Sequence, residues 1–156
     1  MYWLRLRRLK EDLVANRLTE HGAFPYFLAV LIVDAILVNS TFAFPGGYST
    51  PTLATFGNIV IPVIIITVAT LLLYRANGGA NGRFFFVRYF PLLWVIGIRF
   101  VPLAIALCAA WIYLFADPED SSAIWAGVAV WNAFYALYYW RVWVHFREVS
   151  SRAAAT

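Results

Sequence analysis

Two ionisable side chains, Asp34 and Arg99, lie inside apolar stretches and are the residues best suited to chemistry within a membrane. Asp34 is surrounded by VLIVDAILVN, and Arg99 by WVIGIRFVPLAI. An unpaired charge at the centre of a bilayer costs at least about 2.5 kcal/mol, so each needs a partner or a wet cavity. Because an arginine can hold a carboxylate through two parallel hydrogen bonds, we predict an ion pair between them.

Asn132 is predicted to join Asp34 and Arg99 in one polar layer. Counted from the predicted membrane boundaries at 1.5 Å per residue, all three Cα atoms lie roughly 14–15 Å deep, near the midplane. Two interpretations of the layer stay open: a buried clasp that fixes helix packing, or a path for protons, ions or a small substrate. The clasp is favoured, because a transporter usually has a more extensively polar lining.

The composition predicts the elements that position this layer. The chain has 156 residues, of which 63% are hydrophobic and 13% charged, and its mean hydropathy is +0.73. Soluble domains are about 45–50% apolar and about 25% charged. The composition is therefore typical of an integral membrane protein, and no segment reaches the length of a separate soluble domain of about 50 residues.

Four apolar stretches approach or exceed the roughly 20 residues that a helix needs to cross a bilayer. Helices are expected because unpaired strand edges cannot lie in hydrocarbon. The predicted fold is all-α, an integral membrane four-helix transmembrane bundle that follows an amphipathic in-plane helix. The predicted spans are 25–44, 56–74, 89–115 and 123–144.

Charge alternates between the segments that flank these spans. The N-terminal segment, the 75–88 connection and the C-terminus carry arginine or lysine, whereas the 45–55 connection is uncharged and the 116–122 connection is acidic only. Basic segments stay in the cytoplasm. We therefore predict a multi-pass membrane protein with both termini cytoplasmic, in the cytoplasmic (inner) membrane if the source is bacterial.

The N-terminal segment has an apolar stripe at helical spacing, formed by Leu6, Leu9 and Leu13, with charges on the remaining surface. We predict an interfacial helix whose leucines dip toward the acyl chains and which ends near Gly22 and Pro25. A docking helix for a partner protein and a cytoplasmic lid on the bundle are the alternatives. The predicted division is a cytoplasmic amphipathic helix at 1–22, the membrane domain at 23–147 and a short tail at 148–156.

Two further sets of residues are predicted to make contacts. Basic side chains near the span ends are expected to meet lipid headgroups, and small side chains on the fourth span form a stripe that lets helix backbones approach closely. The basic set is Arg5, Arg7, Arg8, Lys10, Arg75, Arg83, Arg88 and Arg141, and the helix-packing set is Ala126, Ala129, Ala133 and Ala136.

No other residues form a catalytic or metal-binding motif. Cys108 is the single cysteine, and no nucleophile is arranged with a base, so neither an enzyme nor a metal site is predicted. His21 and His145 share one predicted boundary and could ligate a haem, but interfacial histidines explain them more simply. No nucleic-acid partner is predicted, because the basic residues behind the net charge of +4 cluster at the predicted span ends. No cofactor is predicted either.

The favoured function is a structural or accessory component of a membrane assembly, in contact with the lipid bilayer. The partners would be other copies of the chain or other membrane protein subunits. A small transporter or channel that uses Asp34 and Arg99 is the first alternative. Aromatic residues make up 19% of the chain, and the second alternative is a binder of a flat lipophilic cofactor or pigment.

Overall fold

The part of the chain that the structure describes is all-helical. The computed structural model describes residues 5–42, 52–79, 84–114 and 121–153; within these ranges the side chains at 31, 34–42, 52–56, 58, 112, 114 and 121–124 are not described. The helices are α1 (Leu6–Val14), α2 (Glu20–Phe42), α3 (Thr52–Ala76), α4 (Phe85–Leu114) and α5 (Ser121–Ala153).

Two of these helices are long and apolar enough to cross a membrane. Their apolar windows are Ile59–Ala76 in α3 and Phe85–Trp111 in α4. The longest helix, α5, has 33 residues and extends past the predicted end of the fourth span at residue 144. At 1.5 Å per residue it measures about 50 Å, so it exceeds the roughly 30 Å of a hydrocarbon core.

The four long helices are neighbours in the order α2–α4–α5–α3. Among the described residues, extended contacts join α2 to α4, α4 to α5 and α5 to α3, and none of comparable extent joins α2 to α3. The four-helix bundle stays a prediction, and we call the four long helices in this order the helix layer.

The central helices α4 and α5 run antiparallel. The rings of Phe100 and Phe134 are 5.7 Å apart, and a Cβ at Gly127 would lie 2.8 Å from Cη2 of Trp111. The close approach at Gly127 requires glycine, because a methyl group there would clash with the indole. We call the end of the layer where α1 packs the α1 end, and the opposite end, near Trp111 and Gly127, the far end.

Helix α1 ends in a Schellman motif at Asn16. The N–H of Arg17 donates to the carbonyl of Asp12 at 2.9 Å, and the N–H of Asn16 to the carbonyl of Leu13 at 3.3 Å. Asn16 has a φ of 50°, which asparagine adopts more readily than most residues. The predicted end near Gly22 and Pro25 is therefore wrong, since both residues lie inside α2.

The leucine stripe of α1 is buried against the protein. Leu6, Leu9 and Leu13 are 7%, 0% and 1% exposed and belong to one core cluster with residues of α4 and α5. The prediction that these leucines dip into the acyl chains is therefore corrected: α1 is a lid on the helix layer. The physical reason is that the apolar surface of α4 and α5 removes the leucine side chains from water as acyl chains would.

Candidate functional site

The predicted polar layer is described only in part. Arg99 is exposed on α4, at the position where α4 passes from buried to exposed residues. Asn132 is half-buried, and its Nδ2 donates to the carbonyl of Val128, one turn back in the same helix, at 2.7 Å. Its Oδ1 is buried and makes no hydrogen bond within the described residues. The Asp34 side chain lies outside the described residues, so the Asp34–Arg99 pair stays a prediction.

The small-residue stripe of α5 faces away from its neighbours α3 and α4. Ala126 is half-buried, whereas Ala129, Ala133 and Ala136 are exposed. The α5 residues that do pack at the far end are Gly127 and Val128. Two exposed tryptophans, Trp125 (43%) and Trp140 (54%), each lie about one turn beyond an end of the row of exposed alanines. The result is a shallow strip on one face of α5.

The basic residues expected at lipid headgroups divide into two groups. Lys10 and Arg88 are held in contacts within the protein. Arg83 lies outside the described residues. The remaining members are exposed, and their headgroup contacts stay a prediction: Arg5, Arg7, Arg8, Arg75 and Arg141.

Glu148 connects α1 to the last turns of α5. Its Oε2 accepts a hydrogen bond from Nζ of Lys10, and its Oε1 lies 3.0 Å from Nη2 of Arg152. Nδ1 of His145 is 3.7 Å from Oε2, beyond hydrogen-bonding distance. The Lys10 side chain is only 15% exposed, so this ion pair is less screened than one on an open surface. It fixes the lid to the layer.

The titrating groups of this cluster lie beyond residue 144, outside the predicted fourth span. Burial, and then the positive charges of Lys10 and Arg141, lower the pKa of His145, although Glu148 acts in the opposite direction. The hydrogen bond from Lys10 lowers the pKa of Glu148. At neutral pH His145 is therefore neutral and Glu148 ionised, which leaves the carboxylate available to Lys10.

Arg88 connects three segments at the α1 end. It is 8% exposed; its Nη1 donates to Oδ1 of Asn77 at 2.9 Å and its Nη2 to Oδ1 of Asn16 at 3.1 Å. Asn16 follows α1, Asn77 follows α3, and Arg88 is in the first turn of α4. Because both acceptors are neutral amides, these bonds position the three segments without neutralising the guanidinium charge.

A groove lined by six phenylalanines lies between the first turns of α2 and α4. Its volume is about 730 Å³, within the range of small-molecule sites. Phe27 and Phe90 meet across it edge to face at 4.8 Å, and the one ionisable residue that lines it is Glu20. The phenylalanines are Phe24, Phe27, Phe84, Phe85, Phe86 and Phe90.

Sequence reasoning missed the residues that hold the α1 end together. Glu148 is the only carboxylate after residue 120, a signal that it would partner the basic N-terminal segment. Asn16 and Asn77 are the residue type that often ends a helix, so each marks a boundary. No sequence signal shows that Arg88 would reach both of them, because the contact joins segments far apart in the chain.

No group of three histidine, cysteine, aspartate or glutamate side chains within the described residues is placed to hold a metal ion. No protein-family model matches the chain, and no curated protein or solved structure matches it either. The functional argument therefore depends on the chain's own surfaces.

Proposed function

We propose that this protein is a structural or accessory component of a membrane assembly, and that a helix of another subunit packs on the exposed alanines of α5. The observation that carries the proposal is the outward direction of Ala129, Ala133 and Ala136. In a membrane, association depends on close packing, and small residues at one-turn spacing allow two backbones to approach. The partner is a second copy of this chain or a different membrane subunit.

The placement in the membrane is part of the proposal. Helices α2 to α5 cross the bilayer, and the α1 end lies in the cytoplasm together with both termini. The alternation of basic and uncharged segments supports this, because lysine and arginine are retained on the cytoplasmic side. The apolar windows of α3 and α4 support two of the four spans.

The assembly is tested by native mass spectrometry of the gently extracted protein, which reports stoichiometry and partners together. We expect wild type to retain a partner subunit. Ala133→Leu should weaken this association about tenfold, because the larger side chain holds the two backbones apart and removes about 1.4 kcal/mol of packing. The matched control is Ala109→Leu, at an exposed alanine of α4. A monomeric wild type, or equal effects of both substitutions, would contradict the proposal.

The orientation is tested separately with a membrane-impermeant maleimide on intact cells. The single native cysteine is first removed by Cys108→Ala. We expect Ser49→Cys, in the uncharged connection, to be labelled from outside, and Thr156→Cys to be labelled only after the cells are opened. Labelling of Thr156→Cys in intact cells would reverse the proposed orientation.

A further inference from the structure

The groove between α2 and α4 combines an aromatic wall with a single carboxylate. The rings of Phe24 and Phe27 are 6.3 Å apart, Phe27 and Phe90 are 4.8 Å apart, and Phe90 stacks on Phe86 at 5.9 Å. These successive contacts make one continuous aromatic surface that crosses from α2 to α4. Glu20, the first residue of α2, lies at the end of this surface.

Three of these rings are more than half exposed despite their contacts with each other and with their neighbours. Phe24, Phe84 and Phe86 are 56%, 52% and 66% exposed, so their faces are available to an external ligand. Phe84 also has a φ of 60°, a left-handed conformation that is costly for a bulky residue. A strained residue that lines a groove points to a role of that groove beyond packing.

The charge at the groove is negative, whereas its surroundings are basic. Within the described residues the Glu20 carboxylate forms no ion pair, while the other acidic residues of this end are paired: Glu11 with Arg7, Asp12 with Arg17 and Glu148 with Lys10. An ammonium group is attracted both to a carboxylate and to the faces of aromatic rings. The groove is therefore complementary to a cationic ligand group attached to an apolar body.

The position of the groove indicates the source of that ligand. Phe85 is the first residue of an apolar window long enough to cross a membrane. In the membrane placement proposed above, on which this inference rests, the rim of the groove lies where headgroups meet hydrocarbon. We propose that this groove binds a phospholipid whose headgroup ends in an ammonium group. The ammonium lies at Glu20 and the nearby ring faces, and the acyl chain lies along Phe27, Phe86 and Phe90.

The test is competition between two lipids with identical acyl chains, one with an ethanolamine and one with a glycerol headgroup. The full chain is delipidated in mild detergent, and bound lipid is counted by native mass spectrometry. We expect wild type to prefer the ethanolamine lipid about fivefold, from one ion pair and its cation–π contacts. Equal binding of the two lipids by wild type would overturn the proposal.

Variants separate the headgroup contact from the chain contact. Glu20→Gln is expected to bind both lipids equally, whereas Glu11→Gln, at an exposed carboxylate outside the groove, keeps the fivefold preference. Phe86→Leu keeps apolar contact but removes the ring face, so it lowers the preference and not the total lipid bound. An unchanged preference in Glu20→Gln would overturn the proposal.

Two further arms address the ligand source and the fold. Soluble ethanolamine should not displace the bound lipid, and displacement at millimolar concentration would show that the groove recognises a free amine instead. Tyr113→Ala, at an exposed ring of the far end, is the control for loss of an aromatic side chain and should leave lipid binding unchanged. The thermal midpoint of each variant confirms folding, since Glu20 and Phe86 are exposed.

Discussion

The two halves of α4 have different surroundings, although both are strongly apolar. From Val87 to Ile96 most side chains are buried, and Leu92 and Val95 are fully enclosed. From Arg99 to Tyr113 every described side chain is exposed or half-buried. The α1 end is therefore packed like a protein core, whereas the far end presents apolar surface that a bilayer or a partner must cover.

Helix α1 contributes to this difference. This lid covers α4 and α5 at one end only, and it adds three leucines together with the Lys10–Glu148 and Asn16–Arg88 contacts. At the far end the close approach of Trp111 to Gly127 joins α4 to α5. Stability should therefore depend mainly on residues at the α1 end, and association with lipid or partners mainly on the rest of the surface.

The largest effect is expected from Leu9→Ala. Leu9 is fully buried under α1, so its truncation should lower the free energy of unfolding by about 3 kcal/mol. Leu103→Ala is the matched control in the far half of α4, where Leu103 is 41% exposed, and it should cost less than about 1 kcal/mol. Tryptophan fluorescence during denaturation in detergent measures both. Equal losses would remove the contrast between the two halves.

Arg88→Met should lower the free energy of unfolding by about 2 kcal/mol. The substitution removes charge-assisted hydrogen bonds, including the one that the buried Asn77 amide oxygen accepts from Arg88. Arg75→Met, at an exposed arginine of the same end, should change stability by less than about 0.5 kcal/mol. The same denaturation experiment applies, and a larger loss for Arg75→Met would show that exposed charge, not the Arg88 contacts, stabilises this end.

Two glycines in the interface of α4 and α5 should respond to alanine with opposite signs. A Cβ at Gly127 would lie 2.8 Å from Trp111, so Gly127→Ala should destabilise by about 1.5 kcal/mol through overpacking. A Cβ at Gly97 would meet Oη of Tyr138 at an ordinary 3.5 Å, so Gly97→Ala should stabilise by about 0.5 kcal/mol through helix propensity. Thermal midpoints measure both; a destabilising Gly97→Ala would contradict the described interface.

Acid should weaken the attachment of α1 to the helix layer, and the resulting loss of stability should be the smallest of the four effects predicted here. The pKa of His145 is lowered in the folded protein, so the unfolded chain binds its proton more tightly and stability falls as pH drops below about 6.5. The lowered pKa of Glu148 adds a second loss at more acidic pH, once its carboxylate is protonated and releases Lys10.

The pH effect is measured as the thermal midpoint between pH 7.5 and 5. His145→Gln should flatten this dependence, while His21→Gln, at an exposed histidine, should leave it as in wild type. A slope that survives in His145→Gln would assign the acid response to another group.

The helices could be predicted from the sequence, but their surroundings could not. The apolar stretches around Pro62 and Pro91 are long enough to be helical whether lipid or protein surrounds them. Each lies inside a described helix. The stripe of Leu6, Leu9 and Leu13 predicted α1 for the same reason. Its environment was mispredicted, because acyl chains and a protein surface favour the same pattern of leucines.

The candidate site shows the same limit. The spacing of Ala126, Ala129, Ala133 and Ala136 predicted one helix-packing face, but not that Ala129, Ala133 and Ala136 are exposed. The aromatic groove could not be predicted, because Phe27 and Phe90 are brought together only by the pairing of α2 with α4.

Composition and periodicity by themselves determined that the chain is helical and apolar. The length and the amphipathic spacing of each segment decide whether its backbone N–H and C=O groups can all form hydrogen bonds within a helix. Only the tertiary structure decided which apolar faces are buried. It placed α1 on the layer, the Arg88 contacts beneath it and the alanines of α5 outside, because side chains far apart in sequence compete for the same buried positions. The outcome of that competition cannot be predicted from the local sequence of any one segment.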